Sequence, residues 1–403
     1  MLFLQRDRAT ADQWYNVRRT LNLDSVHNKM RFTISNSPSL REDGVVALGP
    51  LQLTMGECDV PTDGLGYCDF EFDTCGWTAD ATWTRQISVR PMDVTDALSG
   101  PDNSIYALTA MQLNAPKDGA LLTSPKWSGQ SQPQCLEFWY EHDGFFYPNL
   151  QVEVKTDGKS EVVWQAPSYP RNDWLLSRAQ ISQDKTFQVV FRAKFEGDMA
   201  QFVSLDDVVL RPEPCVHVAE CDFSEGLCGY VNQFQANFQW LVGTGRYERP
   251  ELQPAVPNAR DTPPFAYLDL TTNASYTVGP VTKRTQGAPN TAVLRSSLFD
   301  VTNNNTQLAI RYYRRGPDIT TANVSVTCYG KASDKAPPEV QSLVEVEEVS
   351  QWTTVKVPLN EGTGCQVSVM VTRGPGTNGA MAIASVKITS SEPERWRLVA
   401  VAA

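Results

Sequence analysis

Short runs of alternating apolar and polar residues recur along the whole chain. The clearest runs are Leu136–Tyr140, Leu150–Val154, Phe187–Phe191, Val324–Cys328 and Gln366–Met370. Alternation with a period of two, in segments rich in β-branched and aromatic residues, is typical of half-buried β-strands. No long segment keeps a helical spacing with capping residues. The pattern therefore predicts an all-β protein.

Two segments far apart in the chain carry the same cysteine and aromatic pattern. The first runs from Cys68-Asp-Phe to Cys75-Gly-Trp77, and the second runs from Cys221-Asp-Phe to Cys228-Gly-Tyr230. A repeat of about 150 residues has the length of a domain, so it indicates domain duplication rather than a short solenoid repeat.

The N-terminal region resembles the back half of the middle copy. The middle copy has Trp174 before two strand-like runs and ends at Cys215, and the N-terminal region has Trp14 before two such runs and ends at Cys58. The runs are 187–191 and 202–210 in the middle copy, and 30–34 and 45–53 at the N-terminus. We therefore expect a truncated copy, in a chain that is a fragment, splice form or incomplete gene model of a longer protein.

The repeat boundaries predict the domain organisation. In chain order it comprises the C-terminal half of a truncated domain at 1–58, a linker at 59–67, a complete domain at 68–215, a linker at 216–220, a divergent domain at 221–390 and a tail at 391–403. Because both linkers are short, neighbouring domains are expected to touch rather than swing freely.

Three motifs together resemble the MAM domain, a module of meprins, receptor-type tyrosine phosphatases and neuropilins. They are Cys68-Asp-Phe-Glu with Cys75-Gly-Trp77, Cys135-Leu-Glu-Phe-Trp-Tyr140, and Val203-Ser-Leu-Asp-Asp-Val208 followed by Cys215. The resemblance is strong over 68–215, moderate over 221–390 and partial over 1–58. It implies tandem jelly-roll β-sandwiches, an extracellular or cell-surface setting, and adhesion or oligomerisation rather than catalysis.

The nine cysteines divide between the copies as one, four and four. The family pattern implies Cys68–Cys75 and Cys135–Cys215 in the middle copy, and by the repeat Cys221–Cys228 in the third. Cys58 is expected to be unpaired, since its partner would lie in the missing half of the first copy. A cytosolic protein with reduced, buried thiols is the alternative.

The third copy departs from the family pattern. It has Gln307 where the middle copy has Cys135, and it carries Cys328 and Cys365 inside predicted strands. If these strands are neighbours in the sandwich, the two cysteines form a relocated disulfide, Cys328–Cys365. The alternative is two unpaired, buried cysteines.

An acidic set falls where some MAM domains bind a structural calcium or sodium ion. Its members are Asp69, Glu71, Asp102, Asp206 and Asp207. Hard cations need several converging carboxylate and carbonyl oxygens, so the resemblance implies a cation site in the middle domain. The alternative is that these residues are solvated carboxylates at strand edges that cap turns. No other cofactor is expected, and no zinc site is indicated, because no Cys-x-x-Cys pair exists and His27, His142 and His217 are far apart.

Three glycosylation sequons lie in the third copy, at Asn273, Asn304 and Asn323. Chance supplies a similar number in a chain of this size. They become informative together with the cysteines, because an oxidised, secreted domain would expose these side chains.

Composition narrows the class of partner. The 403 residues are 41% hydrophobic and 20% charged, with a formal net charge of −11 and no Lys/Arg run, which argues against nucleic acid. No segment approaches 18 continuous apolar residues, so no transmembrane segment is expected in this chain, although the full-length protein can still be membrane-anchored. The apolar start at Met1 is too short for a signal-peptide core.

No catalytic motif is present, so we expect no enzyme activity. The chain lacks a Gly-x-Ser-x-Gly elbow, a His-Glu-x-x-His motif and a P-loop. Glu141-His142-Asp143 follows a predicted strand and precedes a glycine turn, so it is interpreted as a strand end. Two functions remain: noncatalytic extracellular protein interaction or adhesion through self-association or a cell-surface partner, and an accessory region of a larger protease- or phosphatase-linked ectoenzyme or receptor. A cytosolic scaffold is a remote third.

Overall fold

The computed structural model describes residues 65–390, apart from 71–72, 88–105, 113–114, 143–148, 168, 170–172, 196–200, 224–226, 233–239, 244–264, 271–290, 331–337, 350 and 377. Within these residues the long regular elements are all β-strands, as the alternating pattern predicts. They form two β-sandwiches joined by a short linker.

The first sandwich contains eleven described strands: β1 (Leu65–Cys68), β2 (Thr78–Ala79), β3 (Trp83–Ile87), β4 (Tyr106–Met111), β5 (Ala120–Thr123), β6 (Gln134–His142), β7 (Asn149–Thr156), β8 (Lys159–Gln165), β9 (Leu175–Ile181), β10 (Gln188–Lys194) and β11 (Phe202–Arg211). The second also contains eleven: β12 (Val231–Asn232), β13 (Leu241–Gly243), β14 (Phe265–Asp269), β15 (Thr291–Arg295), β16 (Phe299–Val301), β17 (Thr306–Arg315), β18 (Ile319–Cys328), β19 (Glu339–Glu345), β20 (Thr353–Leu359), β21 (Gly362–Arg373) and β22 (Ala380–Ser390).

The two sandwiches have the same topology. In the first, one sheet has the order β3-β4-β11-β6-β9 and the other the order β2-β5-β10-β7-β8. In the second, the corresponding sheets are β13-β14-β22-β17-β20 and β12-β15-β21-β18-β19. Smaller details also correspond. The pairing of β1 with β11 in the first sandwich matches the bridge between Cys221 and Val386 in the second. The pairing of β16 with β21 in the second matches the bridge between Trp127 and Phe187 in the first. The all-β, tandem-sandwich expectation is confirmed.

Each sandwich is closed by side chains that alternate inward along its strands. In the first core, Phe138 lies 5.0 Å from both Trp164 and Phe191, edge to face. In the second core, Val324 of β18 and Val369 of β21 are fully buried and directly paired. Fully burying such a side chain contributes roughly 1.5–3 kcal/mol. Tryptophans are buried or half-buried here, as expected for aromatic residues of the sandwich: Trp83, Trp174 and Trp240 are buried, and Trp139, Trp164 and Trp352 are half-buried.

The structure shifts both linker boundaries. Leu65 already pairs with Leu210 of β11, so the end of the stretch expected as linker 59–67 belongs to the first sandwich. Ala219, expected in linker 216–220, is fully buried in the second core. The cysteine motifs therefore mark the domains only approximately, because strand pairing and core packing extend beyond them.

Candidate interaction surfaces

Four disulfides lie within the described residues. Cys68–Cys75 and Cys221–Cys228 close the same short loop in the two sandwiches, and Cys135–Cys215 ties β6 to the end of the first sandwich. Cys328–Cys365 joins directly paired positions of β18 and β21. These are the four pairs that the sequence analysis expects; Cys58 lies outside the described residues. The third copy has Gln307 in β17, the strand that corresponds to β6 with its Cys135. Its Cys328–Cys365 disulfide lies instead in the other sheet of the sandwich, between β18 and β21.

A buried polar contact joins the two sandwiches. Tyr169, between β8 and β9, is 0% exposed, and its hydroxyl donates to Asp173 Oδ2 at 2.9 Å. The same hydroxyl accepts from Nε2 of Gln366 in β21 at 3.2 Å, and the Tyr329 ring packs edge-on with a 5.1 Å centroid separation. Burial, followed by the nearby Asp173 carboxyl, raises the Tyr169 pKa, so the hydroxyl stays protonated.

Two glycines allow the sandwiches to approach closely. A Cβ at Gly229 (φ +86°) would lie 2.7 Å from Leu176 of β9, and a Cβ at Gly364 (φ +61°) would lie 2.7 Å from Pro167. Both separations are shorter than carbon atoms tolerate, and both backbones are in the left-handed region that favours glycine. Leu298 of the second sandwich packs into the first core. Glycine is thus required here by contact as well as by conformation.

The linker is held by side chains from both sandwiches. Arg178 of β9 pairs with Glu137 (Nε–Oε2 2.7 Å) and donates from Nη1 to the carbonyl oxygens of Val216 and His217, at 3.3 and 3.5 Å. The His217 ring lies 5.1 Å from the Phe299 ring of the second sandwich. Burial, and secondarily the Arg178 charge, lowers the His217 pKa to about 4. The linker is therefore a packed part of the structure.

Exposed apolar side chains lie mainly at the outer strands. On the second sandwich, Val340 and Leu343 of β19 are 61% and 63% exposed. On the first, the exposed side chains include Ile87 of β3, Met111 of β4 and Val162 of β8. Strands β3, β8 and β19 are sheet edges, where backbone groups and apolar side chains are available to a partner.

The structure brings part of the acidic set together. Asp206 is buried in β11, and the Asp207 N–H donates to its Oδ1 at 2.9 Å. The Tyr67 hydroxyl donates to Asp207 Oδ1 at 2.8 Å, and Asp69 follows Cys68, which pairs with Val208. Glu71 and Asp102 lie outside the described residues, and among those described no three His, Cys, Asp or Glu side chains form a metal-binding group. The cation site stays a prediction.

Glu141 and His142 lie at the end of β6, as expected of a strand end. Both are buried, and the His142 ring lies 5.9 Å from the Tyr140 ring within the same strand. Asp143 lies outside the described residues.

The sequons differ in structural setting. Asn304 is exposed in the turn before β17, and its Oδ1 accepts the Glu361 N–H at 2.7 Å. Asn323 is half-buried in the middle of β18. Asn273 lies outside the described residues. Over the part of the chain that the structure describes, no helix has the length and apolar character needed to cross a membrane.

Comparison with known proteins decides the family. The family model described as MAM domain, meprin/A5/mu, matches residues 68–216 and 221–393, well over half of the chain. The chain belongs to the MAM domain family. Human MAM domain-containing protein 2 is 26% identical over 213 residues, covering 50% of this chain and 28% of that protein. Zebrafish Neuropilin-1a is 28% identical over 170 residues (38% and 18%), and mouse Meprin A subunit alpha is 26% identical over 176 residues (40% and 24%).

The chain thus spans less than a third of the length of each of these relatives. Among solved structures, the tandem CBM22-1-CBM22-2 domain of Xyn10C from Paenibacillus barcinonensis covers 84% of this MAM chain and 100% of its own length, with 11% identity and a TM-score of 0.28. The K2 cleaved adhesin domain of Lys-gingipain covers 34% and 90%, with 16% identity and a TM-score of 0.26.

Proposed function

We propose that this chain is a noncatalytic extracellular protein-interaction region whose two complete MAM domains act as one rigid adhesive unit. The observation that carries the proposal is the buried contact of Tyr169 with Gln366 and Tyr329, together with the linker held by Arg178. A fixed relative orientation lets loops and sheet edges of both sandwiches face a partner together.

The location in the proposal rests on the disulfides and the family. Four disulfides are typical of an oxidising compartment and rare in the cytosol. An extracellular or cell-surface location is therefore favoured over a cytosolic scaffold.

The proposed partners are proteins, either a second copy of this chain or another cell-surface protein. The net charge of −11 opposes binding to phosphate-rich polymers, whereas the sheet edges β3 and β8 offer backbone groups and apolar side chains to another protein. Each contact is expected to be weak and to gain strength when many copies face each other on a surface.

A second candidate is an accessory region of a larger ectoenzyme or receptor. The matches to Meprin A subunit alpha and Neuropilin-1a favour it, because in both the matched region is a minor part of the protein. The full-length transcript distinguishes the candidates by showing whether an enzyme or receptor domain flanks this region.

The adhesion proposal is tested with the secreted chain coupled to beads. Clustering of coated beads, or binding to cells, together with weak self-association in sedimentation, is the expected result. A strictly monomeric chain that neither clusters beads nor binds any cell surface contradicts the proposal. Gln366→Leu, which removes the hydrogen bond to Tyr169 at nearly constant side-chain size, should weaken clustering more than Gln341→Leu on edge strand β19.

A further inference from the structure

Asn323 occupies the centre of a sheet face rather than a loop. It lies in β18, where its Cα pairs with Glu345 of β19 and with Met370 of β21. The neighbouring residues Ala322 and Val324 are fully buried in the core. Because side chains alternate along a strand, Asn323 points outward from the sheet β12-β15-β21-β18-β19.

On the outer face, Asn323 is flanked directly by Glu345 and Met370, and small hydroxyl residues lie beyond them along the strands. On the same face lie Ser325 and Thr327 of β18 and Ser368 and Thr372 of β21, all half-buried. Hydroxyls of this kind hydrogen-bond readily to a polyhydroxyl ligand.

An apolar rim borders this hydroxyl surface. Leu343 and Val340 of β19 pair with Ser325 and Thr327, so both point to the same face, and both are more than half exposed. Exposed apolar groups at a sheet edge favour association unless something covers them.

The corresponding face of the first sandwich is different. There, the Arg192 guanidinium of β10 pairs with the Glu153 carboxylate of β7 (Nη2–Oε2 3.2 Å), and Lys155 and Lys194 are exposed beside it. This charged surface carries no sequon. One exposed apolar side chain, Val162 of β8, borders this face, whereas Val340 and Leu343 both border the face of the second sandwich.

We propose that Asn323 carries an N-linked glycan that covers the hydroxyl surface and the rim of Val340 and Leu343. The inference rests on the proposed extracellular location. The glycan removes this sheet face from protein contact, so the second sandwich binds partners through its other surfaces. The sugar hydroxyls bond to the Ser and Thr rows, and the apolar faces of the sugar rings pack on Leu343.

The covalent step is a group transfer from a lipid-pyrophosphate-linked oligosaccharide. The Asn323 amide nitrogen Nδ2 forms a bond to the anomeric carbon of the first N-acetylglucosamine. The bond between that carbon and the pyrophosphate oxygen breaks, the amide loses one proton, and the lipid pyrophosphate leaves. Because Asn323 is half-buried between two strands, the transfer precedes folding of β18.

Charge argues against a second copy of this chain as the occupant. Strand β19 begins at Glu339 and ends at Glu345, with Ser342 between them. Antiparallel pairing of two β19 strands about Ser342 would place Glu339 of each copy opposite Glu345 of the other. Like charges directly opposite each other destabilise a strand pair.

The site is far enough from the contact between the sandwiches to hold a glycan. Thr327 pairs with Gln366, which belongs to that contact. Asn323 is four residues away along β18, which corresponds to about 13 Å at the usual rise per residue.

The test uses the full chain secreted from mammalian cells through an added leader. Enzymatic deglycosylation converts an occupied asparagine to aspartate, which mass spectrometry of the Asn323 peptide detects. The variants Asn323→Gln and Ser325→Ala both remove this sequon, and Asn304→Gln removes one in an exposed turn as the matched control. We expect Asn323 to be occupied, and both β18 variants to show about a twofold gain in apolar dye binding and more self-association than the control.

Two results would overturn the inference: an unmodified Asn323 in the secreted protein, or dye binding by Asn323→Gln equal to that of Asn304→Gln. If the β18 variants fail to fold, trimming the glycan of the folded wild-type chain to its first N-acetylglucosamine with an endoglycosidase provides the comparison, because the bond that is cut lies away from the strand. Adding Leu343→Ser to Asn323→Gln should reverse the gain. Neither readout needs bead clustering, so a chain that shows them without clustering contradicts adhesion and leaves the glycan assignment standing.

Discussion

The Tyr169 hydroxyl accepts a hydrogen bond from the Gln366 amide, although the two residues belong to different sandwiches. Both side chains are almost fully buried, at 0% and 1% exposed. A buried hydrogen bond between domains fixes their orientation, because breaking it leaves polar groups without water or a partner.

The contact predicts unequal effects of two substitutions at one position. Tyr169→Phe removes only the hydroxyl and should cost about 1–2 kcal/mol of unfolding free energy. Tyr169→Ala also removes the ring and should cost about 3–5 kcal/mol and increase the radius of gyration in solution scattering. Urea unfolding measures the first quantity. An unchanged radius for Tyr169→Ala would show that the sandwiches are held by other contacts.

Alanine at Gly229 should destabilise more than alanine at Gly158. Both glycines have φ near +80°, but a Cβ at Gly158 meets nothing within 4 Å, whereas one at Gly229 meets Leu176 at 2.7 Å. Gly158→Ala should cost about 1 kcal/mol from conformation alone, and Gly229→Ala about 2–3 kcal/mol because the side chain must be displaced. Denaturant midpoints compare the two. Equal costs would mean that Leu176 moves freely.

The two disulfides of the first sandwich should contribute unequally to stability. Cys135–Cys215 spans 80 residues and Cys68–Cys75 spans 7. On the chain-entropy model, the paired alanine substitutions should cost about 4.5 and about 2.4 kcal/mol. Peptide mapping without reduction first verifies the pairs. A larger loss from the short loop would assign the effect to local strain rather than chain entropy.

Acid should weaken the linker through His217. Its folded pKa of about 4 is below the unfolded value of 6.5, so the unfolded state binds the proton more tightly between these values. The stabilisation is complete above pH 6.5 and is lost as the pH falls to 4, by up to about 3 kcal/mol. The difference between wild type and His217→Asn at pH 7 and pH 4.5 isolates this group from titrating carboxyls such as Glu137. Parallel pH profiles would contradict the assignment.

The sequence predicts much of the fold but little of the contact between sandwiches. Alternation in β18 and β21 predicts their buried valines directly, and the resemblance to the family, extended by the repeat, implies the disulfides of the cysteine motifs. Alternation also places Gln366 on an outer face, where nothing in the sequence shows that Tyr169 covers it. Gly229 is part of a repeated motif, yet its contact with Leu176 depends on how two domains meet, which no local pattern encodes.

The acidic set shows the same limit. The motif places Asp206 and Asp207 together, and the register shift between Asp206 and Val209 lies at this point of the interior strand β11. Whether Asp69 joins them in holding an ion depends on loop geometry beyond strand periodicity.

The disulfide between β18 and β21 has a mechanical consequence. A chain anchored on one cell and bound to another is pulled along its length. Cys328 and Cys365 are 37 positions apart, and the disulfide carries the force directly between them. The residues between the two cysteines therefore cannot contribute to the extension of the stretched chain. At up to about 3.5 Å per residue, roughly 130 Å of chain is withheld from stretching. The disulfide thus limits the length to which the second sandwich can be extended by force.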